Sequence, residues 1–93
     1  MVVRPALVLS VRETETAGPL LWVLMVTNAA RPEWRGDIPI PGWKALGLLI
    51  PSKVRTTKIS TVEAEHARAL ARLDEHTWRS VIDTIAPALP GMA

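Results

Sequence analysis

The residues with the clearest chemical potential lie in the stretch 51–61, near the middle of the chain. This stretch carries cations at positions 53, 55 and 58, hydroxyl side chains at positions 52, 56, 57, 60 and 61, and no carboxylate. Guanidinium, ammonium and hydroxyl groups are the donors with which proteins hold phosphate oxygens. The stretch therefore indicates a phosphate-bearing, anionic ligand.

Charge is unevenly distributed along the chain. Residues 1–62 hold eight Lys or Arg against four Asp or Glu, whereas residues 63–93 hold three against five, within a formal net charge of +2. An anionic ligand would therefore bind the first part. For the charge distribution, the alternative explanation is an ordinary mixed surface. For residues 51–61, the alternative is an edge strand whose cations discourage edge-to-edge aggregation. On residues 51–61 alone, the edge strand is the preferred explanation.

Strands should position these groups. Residues 2–11 are predicted to form a strand with Pro5 at an edge or bulge, and the polar segment 12–19 ends in a Gly-Pro turn. The apolar run 20–26 is predicted to be a strand buried on both faces, at the centre of the sheet.

The second half combines short strands with a helix. A long connection, 29–44, permits only a short edge strand at Ile38 and Ile40, and further strands are predicted at 48–50 and 54–61. Asp74 is a good N-cap for a helix over about 75–86, which Pro87 ends. Residues 64–72 favour helix by propensity, but helix and strand both stay open.

Composition limits the class of protein. The 93 residues allow one domain, 1–93, and the absence of Cys excludes disulfides and thiolate sites. Without Cys the fold must depend on packing, as in a cytoplasmic protein. The longest apolar run, Leu20 to Val26, is too short for a membrane span, so we also expect a soluble protein. His66 and His76 lack a metal-ligand spacing and the glycines are scattered, so no metal and no nucleotide cofactor is predicted.

Four short motifs in order resemble those of MazF/PemK-type toxins. They are Arg-Pro-Ala-Leu-Val-Leu-Ser at 4–10, Val-Thr-Asn at 26–28, Asp-Ile-Pro-Ile at 37–40 and Gly-Leu-Leu-Ile-Pro-Ser-Lys-Val-Arg-Thr-Thr-Lys-Ile at 47–59. Arg-Leu-Asp at 72–74, followed by the helix, resembles the C-terminal end of the family. The resemblance covers almost the whole chain.

This resemblance implies a mainly β (α+β) fold, an SH3-like small β-barrel with a C-terminal helix. It also implies a homodimer, a cognate antitoxin, and metal-independent, sequence-specific cleavage of single-stranded RNA. In the family an Arg and a Thr act on the scissile phosphate, and these correspond to Arg4 and Thr27. From the residues alone, Arg4 would be a solvated residue and Thr27 a turn residue. Family barrels also favour strand over helix for residues 66–72.

Further RNA contacts are predicted on loops and strands. The polar candidates are Asn28, Arg31, Arg35, Ser52, Arg55, Thr56 and Lys58. Asn28 stands where the family has Ser. Trp34 and Trp43 could stack on unpaired bases or cap the ends of the barrel. For Trp43 the capping role is preferred. Trp22 is predicted to be core and Trp78 to anchor the helix.

One departure from the family concerns the N-terminus. The family has a strand and a mobile loop before the Arg-Pro-Ala motif, whereas only Met1-Val2-Val3 precede Arg4 here. We expect an opened barrel with an exposed edge. The alternative functions are a non-catalytic barrel that binds RNA or an antitoxin peptide, and a gyrase-poisoning toxin of the same fold.

Overall fold

The computed structural model describes residues 4–16 and 18–88. They form one antiparallel sheet in the order β1-β2-β4-β3, a half-barrel followed by helix α1. The elements are β1 Ala6–Arg12, β2 Leu20–Asn28, β3 Asp37–Pro39, β4 Ser52–Glu63 and α1 Glu75–Ile85, with 3₁₀ turns at Ala64–His66 and Ala86–Ala88. The predicted fold class, mainly β with a C-terminal helix, is confirmed.

Strand β2 is central because it pairs with β1 on one side and with β4 on the other. Its apolar side chains Leu21, Val23 and Leu24 are buried, as the run predicted. The prediction that Trp22 is core is wrong, since 39% of its surface is exposed and the guanidinium of Arg12 lies 5.0 Å from its ring. Helix α1 lies over β3 and β4 and shares the core cluster with Leu24, but Trp22 is not part of that cluster.

Strand β4 has two halves separated by an irregularity. Leu24 pairs with Ile59 but the next residue, Met25, pairs with Arg55, so residues 56–58 are extra in β4. The first half lies between β2 and β3, and Lys53 within it is only 5% exposed. The explanation of this stretch as a solvated edge strand is therefore wrong for its first half.

Helix α1 begins and packs as predicted. The carboxylate of Asp74 accepts hydrogen bonds from the backbone N–H of Thr77 at 2.9 Å and from its hydroxyl at 3.0 Å, which caps the helix. Val81 and Ile85 are buried one turn apart. They anchor the helix, whereas Trp78, predicted to do so, is only half-buried.

The core lies between α1 and one face of the sheet. Its buried members are Leu24, Ile40, Val54, Val81 and Ile85. Trp43, Leu46 and Leu48 pack against this cluster from the connection before β4. Trp43 therefore covers the core, as the capping interpretation predicted.

Two predicted strands are absent from the described part of the chain. Residues 48–50 follow a compact turn in which the N–H of Leu48 donates to the carbonyl of Trp43 at 3.1 Å, and Leu49 is 93% exposed. Residues 67–74 form neither helix nor strand, so the preference for strand over 66–72 is wrong. Only Leu73 of this segment packs against the core, which is too little to fix a strand register.

Two further predictions concern the ends of β1 and membrane insertion. The strand predicted over 2–11 spans Ala6–Arg12, and Val2 and Val3 lie outside the described residues. Within the described ranges, no helix has the length and apolar character that crossing a membrane would require.

A pair of matched truncations tests the position of the core. Leu24 is fully buried between sheet and helix, so Leu24→Ala should leave a cavity and lower the free energy of unfolding by about 2–5 kcal/mol. Leu49→Ala makes the same change at a 93% exposed position and should cost less than about 0.5 kcal/mol. Urea unfolding followed by circular dichroism measures both, and equal effects would contradict this core.

Candidate functional site

The polar residues of the site lie on the sheet face opposite to the core. Alternate residues of a strand point to opposite faces, so Thr27 of β2 faces away from Leu24. In β4, Lys53 lies directly across from Thr27 on that same face, with Arg55 two residues further on. In β3, Asp37 lies across from Arg55. Three strands thus bring one hydroxyl, one carboxylate and two cations to the same face of the sheet.

We name Asp37, Lys53 and Arg55 the Asp37 cluster. One carboxylate oxygen, Oδ2 of Asp37, lies 3.1 Å from Nζ of Lys53 and 3.6 Å from Nη2 of Arg55. The three side chains are 1%, 6% and 10% exposed, in the order of their numbers. Little water reaches this group, so its charges interact more strongly than a surface pair would.

The Asp37 cluster holds the loop 29–36, which we name the clamped loop. Lys53 donates from Nζ to the carbonyl of Arg31 at 2.7 Å, and Arg55 donates from Nη2 to the carbonyl of Pro32 at 2.6 Å. Asp37 accepts from the N–H of Trp34 at 3.0 Å and donates its own N–H to the Trp34 carbonyl at 3.1 Å. All three members of the cluster therefore grip loop backbone.

The ionisation of Asp37 follows from these contacts. Burial raises the pKa of Asp37, but hydrogen bonds from the Trp34 N–H and the Lys53 ammonium, with the nearby charges of Arg55 and Lys53, outweigh it and lower the pKa below its ordinary value. Asp37 is therefore a carboxylate at neutral pH. Two cations against one anion leave the cluster with a net charge of +1.

Arg4 and Thr27 are brought together by the pairing of β1 with β2. Ala6 pairs with Met25, and the carbonyl of Pro5 accepts the N–H of Val26 at 3.3 Å. Continued by one residue, this register puts the backbone of Arg4 opposite that of Thr27. The side chain of Arg4 is exposed and that of Thr27 is half-buried. Arg4, Thr27 and Lys53 therefore occupy one row across three neighbouring chain segments.

The other predicted contacts divide by exposure. Arg31 and Arg35 of the clamped loop and Lys58 of the extra residues in β4 are exposed. Asn28 is exposed too, and its side-chain oxygen accepts the N–H of Ala30 at 2.8 Å. These four side chains are accessible to a ligand.

Ser52, Arg55 and Thr56 are buried, in contrast to the other candidates. The hydroxyl of Ser52 donates to the carbonyl of Ile50 at 2.8 Å, and that of Thr56 donates to the carbonyl of Gly36 at 2.6 Å. Their role as RNA contacts stays a prediction, and these bonds favour a structural role instead.

Two residues of the site were missed among the sequence candidates. Lys53 belongs to the basic stretch, and its spacing of two from Arg55 was a signal that both share a face. Asp37 gave no comparable signal, because the strand that carries it is three residues long and pairs with residues 14 to 18 positions away.

One grouping of potential metal ligands lies outside this site. In the described part of the chain, Nε2 of His66 lies 3.5 Å from a carboxylate oxygen of Glu63 and 3.4 Å from one of Glu65. All three side chains are exposed, which is the ordinary state of such surface groups. The surface depressions beside the start of α1 likewise include neither Arg4, Thr27 nor the Asp37 cluster.

Comparison with known proteins gave one match. The family model described as "PemK-like, MazF-like toxin of type II toxin-antitoxin system" matches residues 2–89. Searches of curated proteins and of solved structures found no match. The match includes Arg4, strand β2 with Thr27, the clamped loop and α1.

Replacement of Asp37 tests the cluster as an ionic unit. Asp37→Asn leaves Lys53 and Arg55 buried without a carboxylate, and should lower the free energy of unfolding at pH 7 by about 3–5 kcal/mol. Asp83→Asn makes the same change on the exposed face of α1 and should cost less than about 0.5 kcal/mol. Denaturant unfolding at pH 7 measures both.

The effect of Asp37 should also depend on pH. A carboxyl whose pKa is lowered on folding stabilises the protein above its unfolded pKa, about 3.9, and this contribution is lost as pH falls through the folded value. The difference between wild type and Asp37→Asn should therefore be constant from pH 7 to 5 and shrink below about pH 3.9. A gap that persists undiminished to pH 2 would contradict an ionic role.

Gly36 tests the attachment of the clamped loop at its end. Its φ is +89°, and an added Cβ would lie 2.5 Å from the Thr56 hydroxyl oxygen that donates to its carbonyl. Gly36→Ala should lower the free energy of unfolding by about 1–3 kcal/mol. Gly42→Ala, where a Cβ meets nothing within 4 Å, should change it by less than about 0.5 kcal/mol. Equal costs, measured by urea unfolding, would show that this attachment contributes nothing.

Proposed function

This chain belongs to the PemK-like, MazF-like toxins of type II toxin–antitoxin systems, and on that premise we propose that it is a metal-independent endoribonuclease acting on single-stranded RNA. The observation that carries the proposal is the row formed by Arg4, Thr27 and Lys53. It puts a guanidinium, a hydroxyl and a buried positive charge at one edge of the sheet face, where a phosphate can approach. A messenger RNA is met in the cytoplasm, the compartment that the sequence predicts.

RNA supplies its own nucleophile for this reaction. The 2′-hydroxyl attacks the adjacent phosphorus and gives its proton to water, while the bond from phosphorus to the 5′-oxygen breaks and that oxygen takes up a proton. The products are a 2′,3′-cyclic phosphate and a 5′-hydroxyl. The protein has only to orient the ribose and phosphate and to stabilise charge on the phosphorane. No metal-bound water is needed.

Arg4 and Thr27 supply the direct contacts in this proposal. The guanidinium fork of Arg4 holds two phosphate oxygens, and because a guanidinium stays protonated in proteins, its role is charge stabilisation. The hydroxyl of Thr27 donates a hydrogen bond to a phosphate oxygen. Both residues stand near the exposed end of β2, where the strand has left the apolar core.

Lys53 acts from below the contact surface. It is too buried to reach RNA, but it lies directly across from Thr27 and belongs to a cluster with a net charge of +1. In a site with little water, such a charge favours an anion on the adjacent surface. Arg31, Arg35 and Lys58 are exposed and hold flanking phosphates, and Asn28 lies beside Thr27.

Two protein partners belong to the proposal. Membership of a type II family implies an antitoxin protein. We further propose a homodimer, which the exposed apolar side chains of Val8, Val11 and Val62 support, because their pairing with Val23 and Leu21 places all three on one face of the sheet. Size-exclusion chromatography with light scattering measures the mass directly.

RNA cleavage by matched variants tests the proposal. Wild-type protein, incubated in EDTA with a long single-stranded RNA, should yield discrete fragments that end in 2′,3′-cyclic phosphate. Arg4→Ala and Thr27→Ala should each slow cleavage by about 100-fold or more, because each removes a donor to the transition state. Thr27→Ser keeps the hydroxyl and should retain most activity. Arg79→Ala, which removes an exposed cation of α1, should leave the rate unchanged.

The outcomes separate the alternatives. Variants purified identically control for contaminating ribonuclease, because a contaminant would not respond to Arg4→Ala. If the RNA is bound but stays intact, the protein is an RNA-binding module and not an enzyme. Gyrase-dependent DNA breakage without RNA cleavage would assign the protein to the gyrase-poisoning toxins.

A further inference from the structure

Trp34 is held in an unusual setting at the tip of the clamped loop. Its indole lies against the guanidinium of Arg55, whose Cζ is 3.9 Å from the ring centroid. Arg55 is itself fixed by the carbonyl of Pro32 and the carboxylate of Asp37. Yet 45% of the surface of Trp34 is exposed. One face of the ring is covered by a cation, so the exposed part consists of the other face and the ring edges.

The backbone of Trp34 is fixed as firmly as its ring. Asp37 accepts the Trp34 N–H through its side chain at 3.0 Å and donates its own N–H to the Trp34 carbonyl at 3.1 Å. Two backbone bonds and one stacked guanidinium thus determine where the indole stands. A ligand that stacks on the open face meets a ring that is already ordered, so little conformational entropy is lost on binding.

Packing does not account for Trp34. The cluster of apolar residues around the core includes Trp43 but not Trp34. An exposed indole beside flanking cations, here Arg31 and Arg35, is the combination with which proteins bind unpaired bases, because every base has a π-face. Arg55 behind the ring adds a third layer, so a base would complete a base–indole–guanidinium stack.

The position of this ring relative to the phosphate row decides its role. Arg55 follows Lys53 by two residues on the same face of β4, a separation of about 7 Å along the strand. Lys53 lies directly across from Thr27. The ring therefore stands within one or two nucleotides of a phosphate held by Arg4 and Thr27.

We propose that Trp34 is a stacking platform for an unpaired nucleobase next to the cleaved phosphate, preassembled by Arg55 and Asp37. This rests on the proposed function and adds a base-binding subsite to it. Stacking accepts any base, so the platform contributes affinity and position. It also requires single-stranded substrate, because a paired base has no free face to offer.

The experiment compares two exposed tryptophans that each lie on an arginine. Trp34→Leu removes the proposed platform, and Trp34→Phe keeps an aromatic ring. Trp22→Leu is the matched control, since Trp22 is 39% exposed, lies 5.0 Å from Arg12 and stands on the opposite face of the sheet. The probe is a fluorescein-labelled 2′-O-methyl RNA dodecamer of randomised sequence, which lacks the nucleophile and stays intact. Fluorescence anisotropy at several salt concentrations gives its affinity.

Trp34→Leu should weaken binding about 10-fold to 100-fold. The slope of log affinity against log salt should not change, because stacking releases no counterions. The affinity of Trp34→Phe should stay within a few-fold of that of wild type, and the affinity of Trp22→Leu should equal that of wild type. A thermal melt of each variant measures whether the fold is kept. If Trp34→Leu does not fold, Trp34→Phe still tests the contribution of the ring.

Other results would overturn the platform. If wild type binds and cleaves RNA while Trp34→Leu and Trp34→Phe both match it, the base stacks elsewhere and the proposed function stands. If Trp34→Leu lowers affinity and salt slope together, Trp34 only positions the loop cations. If wild type neither binds the probe nor cleaves RNA, the proposed function fails and the platform fails with it.

Discussion

The carboxylate of Asp37, set between two buried cations, determines how the polar face of this protein is built. It neutralises one of the charges of Lys53 and Arg55 and also accepts the backbone N–H of Trp34. A buried ion group of this kind stabilises a fold poorly in comparison with apolar packing, and here Oδ1 of Asp37 and Nε of Arg55 are buried without a hydrogen-bond partner among the described residues. Its evident contribution is to specify the position of the loop that it holds.

The two faces of the sheet divide stability from chemistry. One face packs against α1 through Leu24 and Val54 and excludes water. The other carries the Asp37 cluster and the row that includes Thr27. Strand alternation makes this division possible, because neighbouring residues of one strand serve opposite faces. The extra residues 56–58 then change the pairing of β4, so that only its first half is enclosed by strands on both sides.

How far the sequence predicts this structure depends on whether the signal is local. The cap at Asp74, the spacing of Val81 and Ile85, and the apolar run of β2 are local, and their elements were predicted correctly. The strand predicted at 48–50 was wrong because a turn before it takes up the backbone hydrogen bonds. For residues 66–72 the propensity predicted helix and the family resemblance predicted strand, but residues 67–72 form neither.

The site was predicted less completely than the fold for the same reason. Motif resemblance selected Arg4 and Thr27 as candidates, and their juxtaposition follows from the register of β1 and β2. The burial of Thr56 and the ion pairs of Asp37 depend on contacts between residues about 16 to 20 positions apart along the chain, which no local pattern records. Lys53 and Arg55 grip the loop through the carbonyls of Arg31 and Pro32, a group that every amino acid possesses. Substitution of the side chains at 31, 33 and 35 therefore leaves these two carbonyl bonds in place, so the loop can vary in sequence without losing its attachment to the sheet.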